Sequence, residues 1–114
     1  MMRSEGKLDY LEMQAAAGTI DSVKAFYSAA FGWRFTDYGA SYSAFEEGLD
    51  GGFDGSAPKD MKPLPVLYSE QLEATLKAVE EAGGRITAPI FSFPGGRRFH
   101  FVDPAGNELA VWSE

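Results

Sequence analysis

The sequence predicts an α+β fold made of two βαβββ modules that together form a curled mixed sheet around a cavity. Three observations lead there. First, one strand, one helix and three strands follow each other twice along the chain, which is an internal repeat. Second, the segment leaving the first helix, Phe-Gly-Trp-Arg-Phe at 31–35, has a counterpart behind the second in Ala-Gly-Gly-Arg-Ile at 82–86. Third, aromatic residues make up 14% of the 114 residues. That is more than a minimal core needs, and a lined cavity or an interface would use the surplus. One helix per module covers one face of its sheet, and two sheets curled toward each other would cover the other. A ferredoxin-like plait shares part of this order, but the third strand after each helix argues against it. One domain, 1–114, is expected at this length, with module one at about 7–55 and module two at about 63–114.

Residues 8–14 alternate as a strand, with Leu8, Tyr10 and Glu12 on one face and Asp9, Leu11 and Met13 on the other. Thr19 is a candidate N-cap for a helix of about three turns. In it Ile20, Val23, Phe26, Tyr27, Ala30 and Phe31 recur at helical spacing until Gly32 stops the pattern. Aromatic-rich strands at 33–38 and 42–47 are joined through Gly39, Ala40 and Ser41 as a hairpin, and a weak strand follows at 51–54. Between 55 and 63 the composition shifts to Ser, Pro, Lys and Asp without periodicity, which reads as a loop.

The second module starts with a strand at 64–68. Ser69 is expected to cap a helix with Glu70 and Glu73 in its first turn, Leu72, Leu76 and Val79 as its apolar stripe, a Glu73–Lys77 pair, and Gly83 and Gly84 as its stop. Three strands complete it: 85–88, interrupted at Pro89 and continued to Phe93; 97–102; and 108–112. A Pro-Gly-Gly loop and a turn at 103–106 separate them.

Composition narrows the function. With 17 acidic against 10 basic side chains, a net charge of −7, the chain repels phosphodiester backbones, and the Arg97-Arg98 pair is too small a patch to reverse that. No apolar run approaches the ~20 residues of a membrane span, and the first residues lack a signal-type apolar stretch. A cytoplasmic protein without nucleic-acid or membrane partners is expected. There is no cysteine, so no disulfide forms.

Two segments, Ala-Phe-Tyr-Ser-Ala-Ala-Phe-Gly-Trp at 25–33 and Phe-His-Phe-Val-Asp-Pro-Ala-Gly-Asn-Glu-Leu at 99–109, resemble the "FY…FGW" and "DPxGN" signatures of the vicinal oxygen chelate superfamily. This superfamily includes glyoxalase I, bleomycin and fosfomycin resistance proteins and extradiol dioxygenases. The resemblance runs over nearly the whole chain and implies a glyoxalase/bleomycin resistance-like fold, a small organic ligand and a homodimer. Catalytic members hold a divalent metal through His, Glu or Gln side chains. The resemblance places the corresponding positions at Tyr10, Leu64, Ala110 and one residue of 51–54, where Asp54 is the nearby carboxylate. These are poor metal donors, so no metal and no cofactor is expected.

What remains for chemistry is Glu12, on the face of Tyr10, and the sole histidine, His100, which shares its face with Arg98 and Val102 opposite Phe99 and Phe101. The resemblance points both residues into the cavity. There they either act as a proton-transferring acid and base, giving a lyase- or isomerase-like activity, or form a buried structural pair, or do not touch. Tyr10, Tyr42, Tyr68 and Trp112 offer apolar faces with polar tips for a ligand, or else are ordinary core. Arg98, behind the Pro-Gly-Gly loop, could meet an anionic group, whereas Arg97 reads as a solvated hairpin end. The run at 103–107 is turn chemistry, and the acidic stretch at 46–54 lacks the spacing of a calcium loop. The alternative to an enzyme is a ligand-sequestering protein of the bleomycin resistance type, whose negative charge would favour a cationic ligand.

Overall fold

The computed structural model describes residues 3–56 and 62–114. The central part of the loop expected at 55–63 therefore lies outside the described residues. The elements in chain order are β1 (Leu8–Gln14), α1 (Ile20–Phe31), β2 (Thr36–Asp37), β3 (Tyr42–Glu47), β4 (Leu49–Asp54), β5 (Leu64–Tyr68), α2 (Leu72–Glu81), β6 (Arg85–Phe93), β7 (Gly96–Val102) and β8 (Glu108–Ser113). The chain divides into two compact units, Tyr10–Pro63 and Met1–Asp9 with Leu64–Glu114.

In the first of these, four strands lie in the order β2-β3-β4-β1. β1 runs parallel to β4, with Glu12 opposite Gly52, and β4 runs antiparallel to β3, with Gly52 opposite Ala44. Alternation sends Met13, Phe45 and Phe53 toward α1, where Ala15, Phe45 and Phe53 are buried among Ile20, Val23, Tyr27, Trp33 and Phe35. Tyr27 stacks on Trp33 with ring centroids 4.7 Å apart, and Trp33 meets Phe45 at 4.8 Å. A large share of the aromatic surplus is thus spent in this helix-side core. Gly32 ends α1 in the left-handed region at φ 75°, where a side chain would be strained, and its amide donates to Ser28.

Three expectations for this unit need correction. Only Thr36–Asp37 of 33–38 pairs as a strand, because Trp33 and Phe35 turn into the core. Thr19 stands at the N-cap of α1 as expected and its carbonyl accepts from the Val23 amide, but its hydroxyl donates back to the Ala16 carbonyl, so its side chain caps no amide of the helix. Phe26 and Phe31, placed on the apolar stripe, are 58% and 65% exposed, and no residue of α1 is fully buried.

The second unit repeats the pairing. Its strands lie in the order β5-β8-β7-β6, with β5 parallel to β8 (Val66 opposite Ala110) and β8–β7 and β7–β6 antiparallel. Leu72, Phe99 and Val111 form its buried helix-side core, flanked by Leu67, Leu76, Val79, Ile86 and Phe101. β6 is continuous through Pro89; the ladder shifts register between Ala88 and Phe91, which accommodates the missing N–H.

Ser69 stands three residues before Leu72, the first residue of α2. Its hydroxyl accepts from the Gln71 amide at 3.1 Å and donates to Glu5, whose other oxygen takes the Glu70 amide at 2.7 Å. The start of α2 is therefore held by Glu5, distant in sequence, where Ser69 alone was expected. Glu73 is gripped by Arg97 through bonds of 2.6 and 3.2 Å, so its partner lies on β7 and not at Lys77. At 103–107 the Asp103 carboxylate accepts from the Ala105 and Asn107 amides at 2.8 and 2.9 Å, the expected turn chemistry.

Among the described residues, no helix is long and apolar enough to cross a membrane. Phe99 is fully buried, so Phe99→Ala is expected to lower stability by about 3–5 kcal/mol in chemical denaturation; a loss below about 1 kcal/mol would show that it does not anchor this core.

Candidate functional site

In each unit the sheet face turned away from the helix carries the polar side chains singled out in the sequence. In Tyr10–Pro63 this face holds Tyr10 and Glu12 of β1, Gly52 of β4, and Tyr42 and Ala44 of β3. Glu12 is 6% exposed. The Tyr42 hydroxyl donates to Glu12 Oε1 at 3.4 Å, and the Tyr10 and Tyr42 hydroxyls lie 2.5 Å apart.

Gly52 makes this meeting possible. A Cβ there would fall onto both hydroxyl oxygens, so the two phenols occupy the space a side chain would fill. Burial raises the Tyr10 pKa, as do the nearby Glu12 and Asp50 carboxylates, while the bond with Tyr42 works the other way. Tyr10 is therefore held as a neutral phenol, able to donate.

In the other unit the corresponding face carries Tyr68, Arg98, His100 and Trp112. Trp112 lies opposite Arg98 in the β7–β8 ladder, and the edge of Tyr68 meets it at 5.3 Å. The indole N–H donates to Asp9 at 3.0 Å, and the Arg3 guanidinium lies over the indole at 4.9 Å while also reaching Asp9. The Arg98 guanidinium lies over Phe91 and Phe93 at 5.5 and 5.6 Å. His100 packs against Phe91 and places Nδ1 3.5 Å from Glu108 Oε2. The Tyr68 hydroxyl donates to Glu114, and desolvation together with that carboxylate raises its pKa.

The structure thus brings Tyr10, Glu12 and Tyr42 into one group and Tyr68, Arg98 and Trp112 into another. Glu12 and His100 belong to different units. Sequence reading missed Arg3, Asp9, Phe91 and Phe93 as neighbours of the second group. A shallow hollow of ≈ 240 Å³ beside β2 and β3 is lined by Arg34, Tyr38, Glu46 and Glu47 among others and involves none of the expected site residues.

Residues 7–111 match the model of the Glyoxalase/Bleomycin resistance protein/Dioxygenase superfamily, and the chain belongs to that superfamily. Its fold is similar to that of the NAD-dependent benzaldehyde dehydrogenase from Legionella pneumophila (TM-score 0.75, 14% identity, covering 91% of this chain and 96% of that one). It is similar also to a methylmalonyl-CoA epimerase from Streptomyces coelicolor in complex with 2-nitronate-propionyl-CoA (0.71, 13%, 97% and 99%). A third neighbour is the Mn(II)-bound glyoxalase from Novosphingobium aromaticivorans (0.66, 20%), where 98% of this chain spans 40% of that one. At these identities the likeness concerns the fold. No curated protein sequence matches the chain significantly.

The superfamily's divalent metal does not fit the side chains present. Leu64 and Ala110 are buried hydrocarbon. Tyr10 is a neutral phenol bonded to Tyr42, Gly51 and Gly52 bring no donor, and Phe53 lies under α1. Asp54 Oδ1 accepts from the Ser56 amide and hydroxyl. Among the described residues no three His, Asp or Glu side chains form a metal-holding group.

Two outcomes follow. Added Mn²⁺ or Ni²⁺ is expected to leave the melting temperature unchanged, and a stoichiometric ion whose removal by chelator destabilises the protein would contradict this donor reading. In ¹³Cζ-tyrosine NMR, Tyr10 is expected to titrate above the ordinary phenol value. Glu12→Gln removes a negative neighbour, so it should move that titration down, and an unchanged titration would show that the carboxylate does not act on it.

Proposed function

We propose that the chain binds a small organic molecule with an acidic C–H beside a carbonyl and moves a proton on it, a lyase- or isomerase-like activity in which Glu12 is the base and His100 supplies a proton. The observation that carries this reading is the buried Glu12 carboxylate with the Tyr42 hydroxyl turned onto it. A carboxylate so placed is oriented for proton abstraction. His100 is the one side chain of the chain that titrates near neutral pH when unperturbed, and it stands on the polar face of β7 beside Glu108. The fold neighbours that include a methylmalonyl-CoA epimerase make an enolisable thioester a reasonable first probe.

A second reading is favoured by the aromatic group of Tyr68, Phe93 and Trp112, with Phe93 and Trp112 at 6.3 Å: a ligand-sequestering protein whose flat rings hold an organic molecule, the net charge of −7 favouring a cationic one. A homodimer and a cytoplasmic setting belong to both readings.

The test is α-proton exchange in D₂O with methylmalonyl-CoA and ethyl 2-methylacetoacetate, followed by NMR. Wild-type protein should accelerate exchange, and Glu12→Gln and His100→Ala should each lower the rate about 10²-fold or more while the fold is kept. Full exchange in both variants would remove these residues from the chemistry. Ligand-induced thermal stabilisation without any exchange would select the sequestering reading. Sedimentation at micromolar concentration should show a dimer, and monomer alone would contradict that part.

A further inference from the structure

Removing a proton beside a carbonyl leaves negative charge on the carbonyl oxygen, and a base alone does nothing to stabilise it. A hydrogen-bond donor must stand within reach of the base and keep its proton while the charge develops. In the Tyr10–Pro63 unit the hydroxyl on Glu12 is that of Tyr42, and behind it lies that of Tyr10.

We propose that Tyr10 is the oxyanion donor of the proton transfer assigned to Glu12, that Tyr42 is the positioning residue that turns Tyr10 toward the substrate, and that the substrate class is therefore ketones and thioesters able to form an enolate. This rests on the proton-abstraction reading of Glu12.

The hydrogen bonds supply the sequence of events. With Glu12 ionised, its charge draws the Tyr42 proton, and Tyr42 in turn accepts from Tyr10. When Glu12 takes the substrate proton, the C–H pair becomes the C=C bond and the carbonyl π pair moves onto oxygen. Glu12, now neutral, holds the Tyr42 proton less strongly. Tyr42 then donates to the Tyr10 oxygen, and the Tyr10 proton turns to the enolate oxygen. Once carbon is reprotonated, the oxygen pair re-forms the carbonyl, Glu12 is again ionised and both rotations reverse.

No heavy atom has to move, because the 2.5 Å contact between the two hydroxyls serves with either oxygen as donor. Gly52 supplies the room, and Ala44 beside it in the ladder keeps the spot small. The raised Tyr10 pKa fits the same role, since the phenol stays protonated and so remains a donor.

The experiment measures kcat and KM for exchange of methylmalonyl-CoA and ethyl 2-methylacetoacetate by wild type, Tyr10→Phe, Tyr42→Phe and Glu12→Gln. Tyr10→Phe should lower kcat about 10²- to 10³-fold with KM changed little, as loss of one oxyanion donor does. Tyr42→Phe should lower kcat less and move the Tyr10 ¹³Cζ titration further up, because it removes the bond that opposes the rise. Should Tyr10→Phe fail to fold, 3-fluorotyrosine at position 10 keeps the oxygen and makes a stronger donor, and kcat should then change with phenol acidity. Wild-type kcat in Tyr10→Phe, with Glu12→Gln impaired, overturns this inference and leaves the base standing. Wild-type kcat in Glu12→Gln, or no exchange by wild type on either probe, overturns both.

Discussion

The parallel pairing of β1 with β4, which sets Glu12 against Gly52, decides what each face of that sheet can do. Side chains alternate along a strand, so the register that sends Met13 and Phe53 under α1 also sends Tyr10 and Glu12 to the opposite face. A slip of one residue would bury a carboxylate beneath a helix and expose the phenylalanines, an exchange that costs far more than a hydrogen bond restores. The polar group of Tyr10, Glu12 and Tyr42 is thus held in place by the aromatic packing on the other side of the same strands. Chemistry and core are two readings of one alternation.

The second unit obeys the same rule with other residues. On β7, Phe99 and Phe101 face α2 while Arg98 and His100 face away, and the β8 partners Trp112 and Ala110 follow suit. On this face cations lie against rings: Arg3 over Trp112, Arg98 over Phe91 and Phe93. Such stacking orients a guanidinium without neutralising it. The two units share a topology and differ in what the sheet face away from the helix offers, a phenol pair in one and an aromatic and cationic tier in the other.

Much of this was legible in the sequence, because period and punctuation are local signals. The helix between Thr19 and Gly32 and the strand at 8–14 were read from spacing, the turn at Asp103 from its turn-forming residues, and the face assignments of Glu12 and His100 followed from alternation. Long-range partners were not legible. The grip of Glu5 on Ser69 and Glu70, that of Arg97 on Glu73 and that of Asp9 on Trp112 join residues distant in the chain, and no periodicity announces them. The Tyr10–Tyr42 contact was hidden for a related reason: both tyrosines were chosen as ligand groups, but their meeting depends on the β1–β4–β3 register. The two glycines at 51 and 52, within the weak strand expected at 51–54, were the available clue.

Gly52 also shapes how this chain can change over generations. Its vacancy is occupied by oxygens belonging to two other residues, so the cost of any side chain at 52 is set by what stands at 10 and 42. An alanine there would strain the present protein and be tolerated far better once either tyrosine had been shortened. The three positions are energetically coupled, and their substitutions are non-additive. Lineages descending from such a chain would cross this region in a preferred order, losing a phenol before gaining a methyl, and a path in the opposite order would pass through a weakened intermediate.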